Sequence, residues 1–66
     1  MIGGRIKDTR EAAGMSQSDL ARAAGIPRQY VSAWEAGAWD PGLQNLVVLS
    51  NVLGITLDQL MKEEEK

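Results

Sequence analysis

"MSQSDLARAAGIPRQYVSAWEAG", residues 15–37, is the stretch that decides the fold. Ser16 with Asp19 three residues on is a helix-start signature, a short-armed version of the Ser/Thr–Glu capping box. Leu20, Ala21 and Ala24 then share one face at about 100° per residue, and the two small alanines let another helix come close. Gly25 stands where a helix ends on a left-handed residue. A second helix follows almost at once, with Tyr30, Val31 and Trp34 on one side and Arg28, Gln29, Ser32 and Ala33 on the other. The spacing predicts helices over about 17–24 and about 28–36, the second packed on helices 2 and 4 through its aromatic side. Pro27 opens that second helix. It lacks the side-chain acceptor of a Ser or Thr cap, at a cost of about 1 kcal/mol, although proline is tolerated at a helix start because its missing N–H would have had no partner.

A helix, a tight glycine turn and a helix seated on alanine make a helix-turn-helix, and the rest of the chain extends the pattern. Residues from Ile2 or Gly3 to Ala13 place Ile2, Ile6, Thr9 and Ala13 on one face of a first helix. Leu43 to Leu53 gives a fourth, with a wide arc of Leu43, Leu46, Val47, Leu49, Ser50 and Leu53 expected inward. "TLDQ" at 56–59 opens a fifth, with Thr56 as cap, Gln59 as its box partner and Leu57, Leu60 and Met61 apolar. No stretch alternates as a half-buried strand would. The expected fold class is all-α, five short helices within residues 1–61, followed by a frayed charged tail, KEEEK, at 62–66.

The bulk numbers narrow the chemistry. Sixty-six residues suffice for one small domain with a thin core. There is no cysteine and no histidine, hence no disulfide, no thiolate metal site and no imidazole base. With no carboxylate pair in a plausible pocket, enzymatic function has no support, and no metal or other cofactor is expected. No segment approaches a membrane span of about 20 apolar residues, and the N-terminus lacks the apolar core of a signal peptide. A cytoplasmic protein is expected. The net charge of −2, of which the tail supplies only part, argues mildly against a nucleic-acid partner.

The quoted stretch, with Gln17, Ala21, Gly25, Val31 and "WEAG" at 34–37, together with the "P-x-L…L…L…LGIT-x-D-x-L" pattern of 41–60, resembles the Cro/C1-type helix-turn-helix domain, the Xre-like and phage-repressor-like family. The likeness covers nearly the whole chain. It implies a lambda-repressor-like domain acting in the cytoplasm, associated with the nucleoid, as a transcriptional regulator. Its helix 3 would lie in the DNA major groove, and a homodimer would read a pseudopalindrome with half-site centres about 34 Å apart. The resemblance also implies an ion pair, Arg10 with Glu35, tying helix 1 to the end of helix 3. Neither a membrane nor a small-molecule ligand is implied.

On this frame the outer face of helix 3 suits base edges. Arg28 can pair bidentately with guanine, Gln29 with adenine, Ser32 with a base or phosphate, and Ala33 offers a methyl to thymine. Ser16 and Gln17, at a helix N-terminus, suit a phosphate and can cap the helix at the same time. Arg10 is a secondary phosphate candidate. Relatives place cations in the turn after helix 3, whereas here it is Ala38, Trp39, Asp40, Pro41 and Gly42, leaving only backbone N–H groups such as those of Ala38 and Trp39. Trp39 itself reads either as a plug against helix 4 or as a partner surface. Val48 and Val52, opposite the expected core arc of helix 4, join Leu57 and Met61 of helix 5 as an expected dimer interface. The competing reading is the same fold acting as a protein-interaction module, an antitoxin or anti-repressor, which the acidic surface and bare loop favour.

Overall fold

A computed structural model describes residues 2–61, and the expected tail at 62–66 lies outside the described residues. Five α-helices follow one another: α1 (Ile2–Ala12), α2 (Gln17–Ala24), α3 (Arg28–Ala36), α4 (Leu43–Leu53) and α5 (Leu57–Met61). No strand occurs among the described residues, and none of the helices is long and apolar enough to cross a membrane.

The starts and stops are local chemistry. At α2 the Ser16 Oγ accepts from the Asp19 N–H while the Asp19 carboxylate accepts from the Ser16 N–H, each at 3.0 Å. Thr56 and Gln59 repeat that reciprocal bond at the start of α5. Between α2 and α3 the chain reverses on Gly25 at φ 71°, where a Cβ would be strained. There the Ile26 N–H donates to the Ala21 carbonyl at 3.0 Å, closing the helix end. Pro27 heads α3 with no side-chain cap bond.

Ile6, Leu20, Val31, Trp34, Leu49 and Leu60 are fully buried and join all five helices in one core. The α2–α3 unit is braced chiefly by α1, which packs along α3. The expectation that α3 lies on helices 2 and 4 is corrected accordingly: its close backbone neighbours are α2 and α1. Contact with α1 is possible because Gly3 has no side chain. A Cβ there would overlap the Trp34 carbonyl oxygen and sit 3.1 Å from its carbon and 3.3 Å from the Glu35 Cα. The buried stripe of α1 is therefore Gly3, Ile6 and Arg10, whereas Ala13 is exposed and lies just past the helix end.

α4 is also rotated from expectation. Leu46, Leu49 and Ser50 are buried, Val52 and Leu53 pack against the core, and Leu43 and Val47 are 65% and 41% exposed. The segment LQNLVVLSNVL is apolar nearly all round, so periodicity could not choose its inner face. Ser50 is tolerated inside because its hydroxyl donates to the Val47 carbonyl at 2.8 Å. Val52 and Leu57, expected at the dimer interface, are partly buried and pack against the core. Val48 is half-buried, and of the four residues only Met61 is freely exposed.

Candidate nucleic-acid interface

α3 presents two different sides. Val31 and Trp34 face the core, while Arg28 and Gln29 are exposed and Ser32 and Ala33 half-buried beside them. The four expected base-reading residues thus share one side of one helix. Tyr30, expected inward, is 38% exposed. It lies at the border of the two sides, where its ring meets Trp34 with centroids 6.0 Å apart.

Trp39 completes an aromatic cluster. Its ring meets Tyr30 edge-on at 5.2 Å and Trp34 edge-on at 5.5 Å. Trp39 therefore plugs the aromatic side of α3, and it remains 44% exposed. The Trp34 indole N–H is buried with no hydrogen-bond acceptor among the described residues.

Beneath the outer side of α3 lies a polar chain. Arg10 donates to Glu35 through two nitrogens, at 2.7 and 2.9 Å, a bidentate fork of the strong kind. A third nitrogen donates to the Met15 carbonyl at 2.8 Å. The side chains of the pair are only 9% and 5% exposed. This corrects the phosphate role expected for Arg10: its guanidinium is inside, committed to Glu35 and Met15. Burial by itself would push the Glu35 carboxyl up, yet the hydrogen bonds from Arg10 and Gln17, with the charge of Arg10, hold it below the usual range. The same bond to Glu35 raises Arg10. Gln17 extends the chain outward, its amide donating to Glu35 at 3.0 Å and accepting from Arg28 at 3.3 Å.

The expected phosphate positions divide. The hydroxyl of Ser16 caps Asp19, and the Gln17 side chain is committed to Glu35 and Arg28. At the start of α2 the first intrahelical bond is Leu20 to Ser16, so the N–H groups of Gln17 and Ser18 have no acceptor within the helix. The Ala38 N–H donates to the Ala33 carbonyl at 2.9 Å, closing α3. It is therefore withdrawn as a phosphate donor, whereas the Trp39 N–H has no such bond among the described residues. Sequence reasoning missed the Gln17–Glu35 and Gln17–Arg28 contacts. A side-chain amide carries no spacing signal that would have revealed them.

The chain matches a helix-turn-helix family model over residues 6–60. It is 42% identical over 62 residues to YonR, a prophage-derived HTH-type transcriptional regulator of Bacillus subtilis, covering 94% of this chain and 57% of that protein. Among solved structures, it superposes on the biofilm master regulator SinR in complex with DNA with a TM-score of 0.89 at 38% identity, covering 94% of this chain and all of the other. The P22 c2 repressor in complex with a synthetic operator gives 0.88 at 30% identity, with 97% of each chain covered.

Proposed function

The chain belongs to the helix-turn-helix family of Cro/C1 type, and from that premise we propose that it binds double-stranded DNA with sequence preference, as the recognition domain of a transcriptional regulator in the cytoplasm. The observation that carries this reading is the outer side of α3, where Arg28, Gln29, Ser32 and Ala33 stand together on a helix fixed from behind by Arg10 and Glu35. A recognition helix needs both properties, because exposed donors read bases only if the helix itself does not move. The DNA complexes of SinR and the P22 repressor, superposable at the TM-scores above, support placing α3 in the major groove.

In this arrangement Arg28 pairs with a guanine, Gln29 with an adenine, and Ser32 and Ala33 line the contact. The open N–H groups of Gln17 and Ser18 at the start of α2, and that of Trp39, serve phosphates. Two copies of the chain bind together, one per half-site. The exposed Leu43, Val47 and Met61 and the half-buried Val48 are the apolar residues available to a partner. The chain spans a little over half the length of its curated relative YonR, 57%.

Selection of bound duplexes from a random pool tests the reading. A consensus is expected, and substituting Arg28 and Gln29 together by alanine abolishes the preference without unfolding the domain. Recovery of no consensus, with sequence-blind retention, would refute it. An interaction module of the same fold would show no enrichment at all.

A further inference from the structure

The turn that joins α3 to α4 is anchored on both sides of one exposed acid. The Ala38 N–H closes α3 on the Ala33 carbonyl. The Trp39 ring is pinned edge-on against Tyr30 and Trp34, at 5.2 and 5.5 Å. Pro41 is buried, and its ring favours extended backbone at the residue before it. Asp40 stands between these two anchors. It is exposed and takes part in none of the ion pairs among the described residues. Its side chain is short, so the charge stays with the turn and has no cation to neutralise it there. Trp39 fixes where that charge meets DNA. Its N–H is the open donor assigned to a phosphate above, and Asp40 is the next residue. With consecutive Cα atoms about 3.8 Å apart and an N–H to oxygen bond of about 2.9 Å, a phosphate on Trp39 lies on the order of 7 Å from the Asp40 carboxylate.

We propose that Asp40 limits the affinity of the domain for DNA: its carboxylate repels the backbone phosphate that the Trp39 N–H attracts. The proposal rests on the DNA-binding reading above. Two like unit charges at that separation in water cost about threefold in binding, and two protomers on one site about tenfold. The penalty is the same for every sequence, so it leaves base preference untouched. It matters most on non-cognate DNA, which has no base contacts to offset it, and it weakens the hold of one protomer on a single half-site. The turn thus does more than lack the cations of its relatives. It holds a charge of the opposite sign in their place.

The test measures affinity for the selected site, for versions with each base pair changed and for an unrelated duplex, using wild type, Asp40→Asn and Asp40→Lys. Asp40→Asn keeps the shape and removes the charge. At low salt it should bind every duplex about tenfold tighter than wild type, with the ranking of bases unchanged. That gain should shrink between about 0.01 and 0.15 M salt, as the screening length falls from about 30 to about 8 Å. Asp40→Lys should go further in the same direction and steepen the logarithmic salt slope by about 0.9 per protomer. Both variants should unfold at the wild-type urea midpoint, since the carboxylate has no partner in the fold. Unchanged or weaker binding by Asp40→Asn would overturn the proposal. So would a gain confined to one base pair, which would place the carboxylate on a base, and so would a lowered urea midpoint without tighter binding, which would make it a support of the turn. A wild-type protein with no preference at any position overturns the DNA reading itself, and shows before any variant is made.

Discussion

Adjacent glycines near the start of α1 should respond to alanine with opposite signs. Gly4 faces open space, with nothing within 4 Å of an added Cβ. Gly4→Ala should therefore stabilise the domain by about 0.5–1 kcal/mol, the ordinary helical advantage of alanine over glycine. Gly3 meets the backbone of α3, and its added methyl would overlap the Trp34 carbonyl. Backbone cannot rotate aside as a side chain can, so α1 must lift off α3 or unwind its first turn. Lifting strains the Arg10–Glu35 fork, whose nitrogen–oxygen distances are 2.7 and 2.9 Å. Unwinding strips the partly buried Ile2 from the core. Overpacking of this kind costs about 1–3 kcal/mol, and a clash with backbone belongs at the upper end, so about 2 kcal/mol remains after the helical gain. Urea unfolding followed by far-ultraviolet circular dichroism measures both. With a slope of about 1 kcal/mol per M for a domain this small, Gly3→Ala should lower the midpoint by about 1 M or more, while Gly4→Ala raises it by about 0.5–1 M. A Gly3→Ala midpoint equal to or above that of wild type would refute the close approach of α1 to α3.

Four further outcomes follow. Glu35→Gln strands the buried Arg10 charge and should cost about 3–5 kcal/mol, the usual loss when one partner of a buried pair is removed; a loss under about 1 kcal/mol in thermal or urea unfolding would contradict the burial of the pair. Because the native carboxyl of Glu35 lies below its ordinary value of 4.5, the unfolded chain takes up the proton first. Its stabilising share is complete above about pH 4.5 and fades as pH falls through the lower native value, so the urea midpoint should decline below pH 4.5 in wild type and decline less in Glu35→Gln. Trp39→Ala removes two edge-to-face contacts worth about 0.5–1.5 kcal/mol each and uncovers Trp34, so an unchanged midpoint would argue against the aromatic plug. In a salt titration on the selected DNA, the logarithmic slope should be no steeper than about −5 for two protomers, since each neutralised phosphate contributes about 0.9; a slope near −10 would contradict the shortage of free cations.

What the sequence disclosed and what it hid divide along a physical line. Ser16 with Asp19 and Thr56 with Gln59 act within one turn, so their hydrogen bonds could be read from spacing, and so could the reversal at Gly25. The outer side of α3 was legible for a similar reason: its apolar and polar residues segregate cleanly around the helix. α4 was not, because valine and leucine surround it and the choice of face depends on which neighbours arrive. The Arg10–Glu35 pair was implied by the resemblance, but the burial of Arg10 could not be read from spacing, because it depends on a partner 25 positions away. Gly3 entered the sequence reading only as a possible helix start. Its importance lies in what it lacks, which only the position of the Trp34 carbonyl reveals.

The acidity of the chain acquires a sharper meaning from where its cations are. Of the five arginines and lysines among residues 2–61, Arg10 is buried in its pair with Glu35 and Arg5 is turned onto the Gln59 carbonyl at 3.2 and 2.9 Å, tying α1 to α5. Arg22 sits 3.4 Å from Asp19 on the surface, an exposed pair that is easily opened. Two cations are thus spent on holding the frame, one is weakly tethered and Lys7 stands exposed on α1, while the turn at 38–42 contributes none. Electrostatic attraction to the phosphate backbone supplies most non-specific binding. A surface arranged this way gives up much of that term and keeps Arg28, the cation aimed from the recognition helix. On the proposed DNA-binding reading, the consequence is a larger ratio of specific to non-specific affinity for a given total. That ratio, and not affinity alone, decides whether a site is found among competing sequences. Spending arginines on rigidity is then consistent with DNA reading, provided that the rigidity reaches Arg28, as the chain from Arg10 through Glu35 and Gln17 allows.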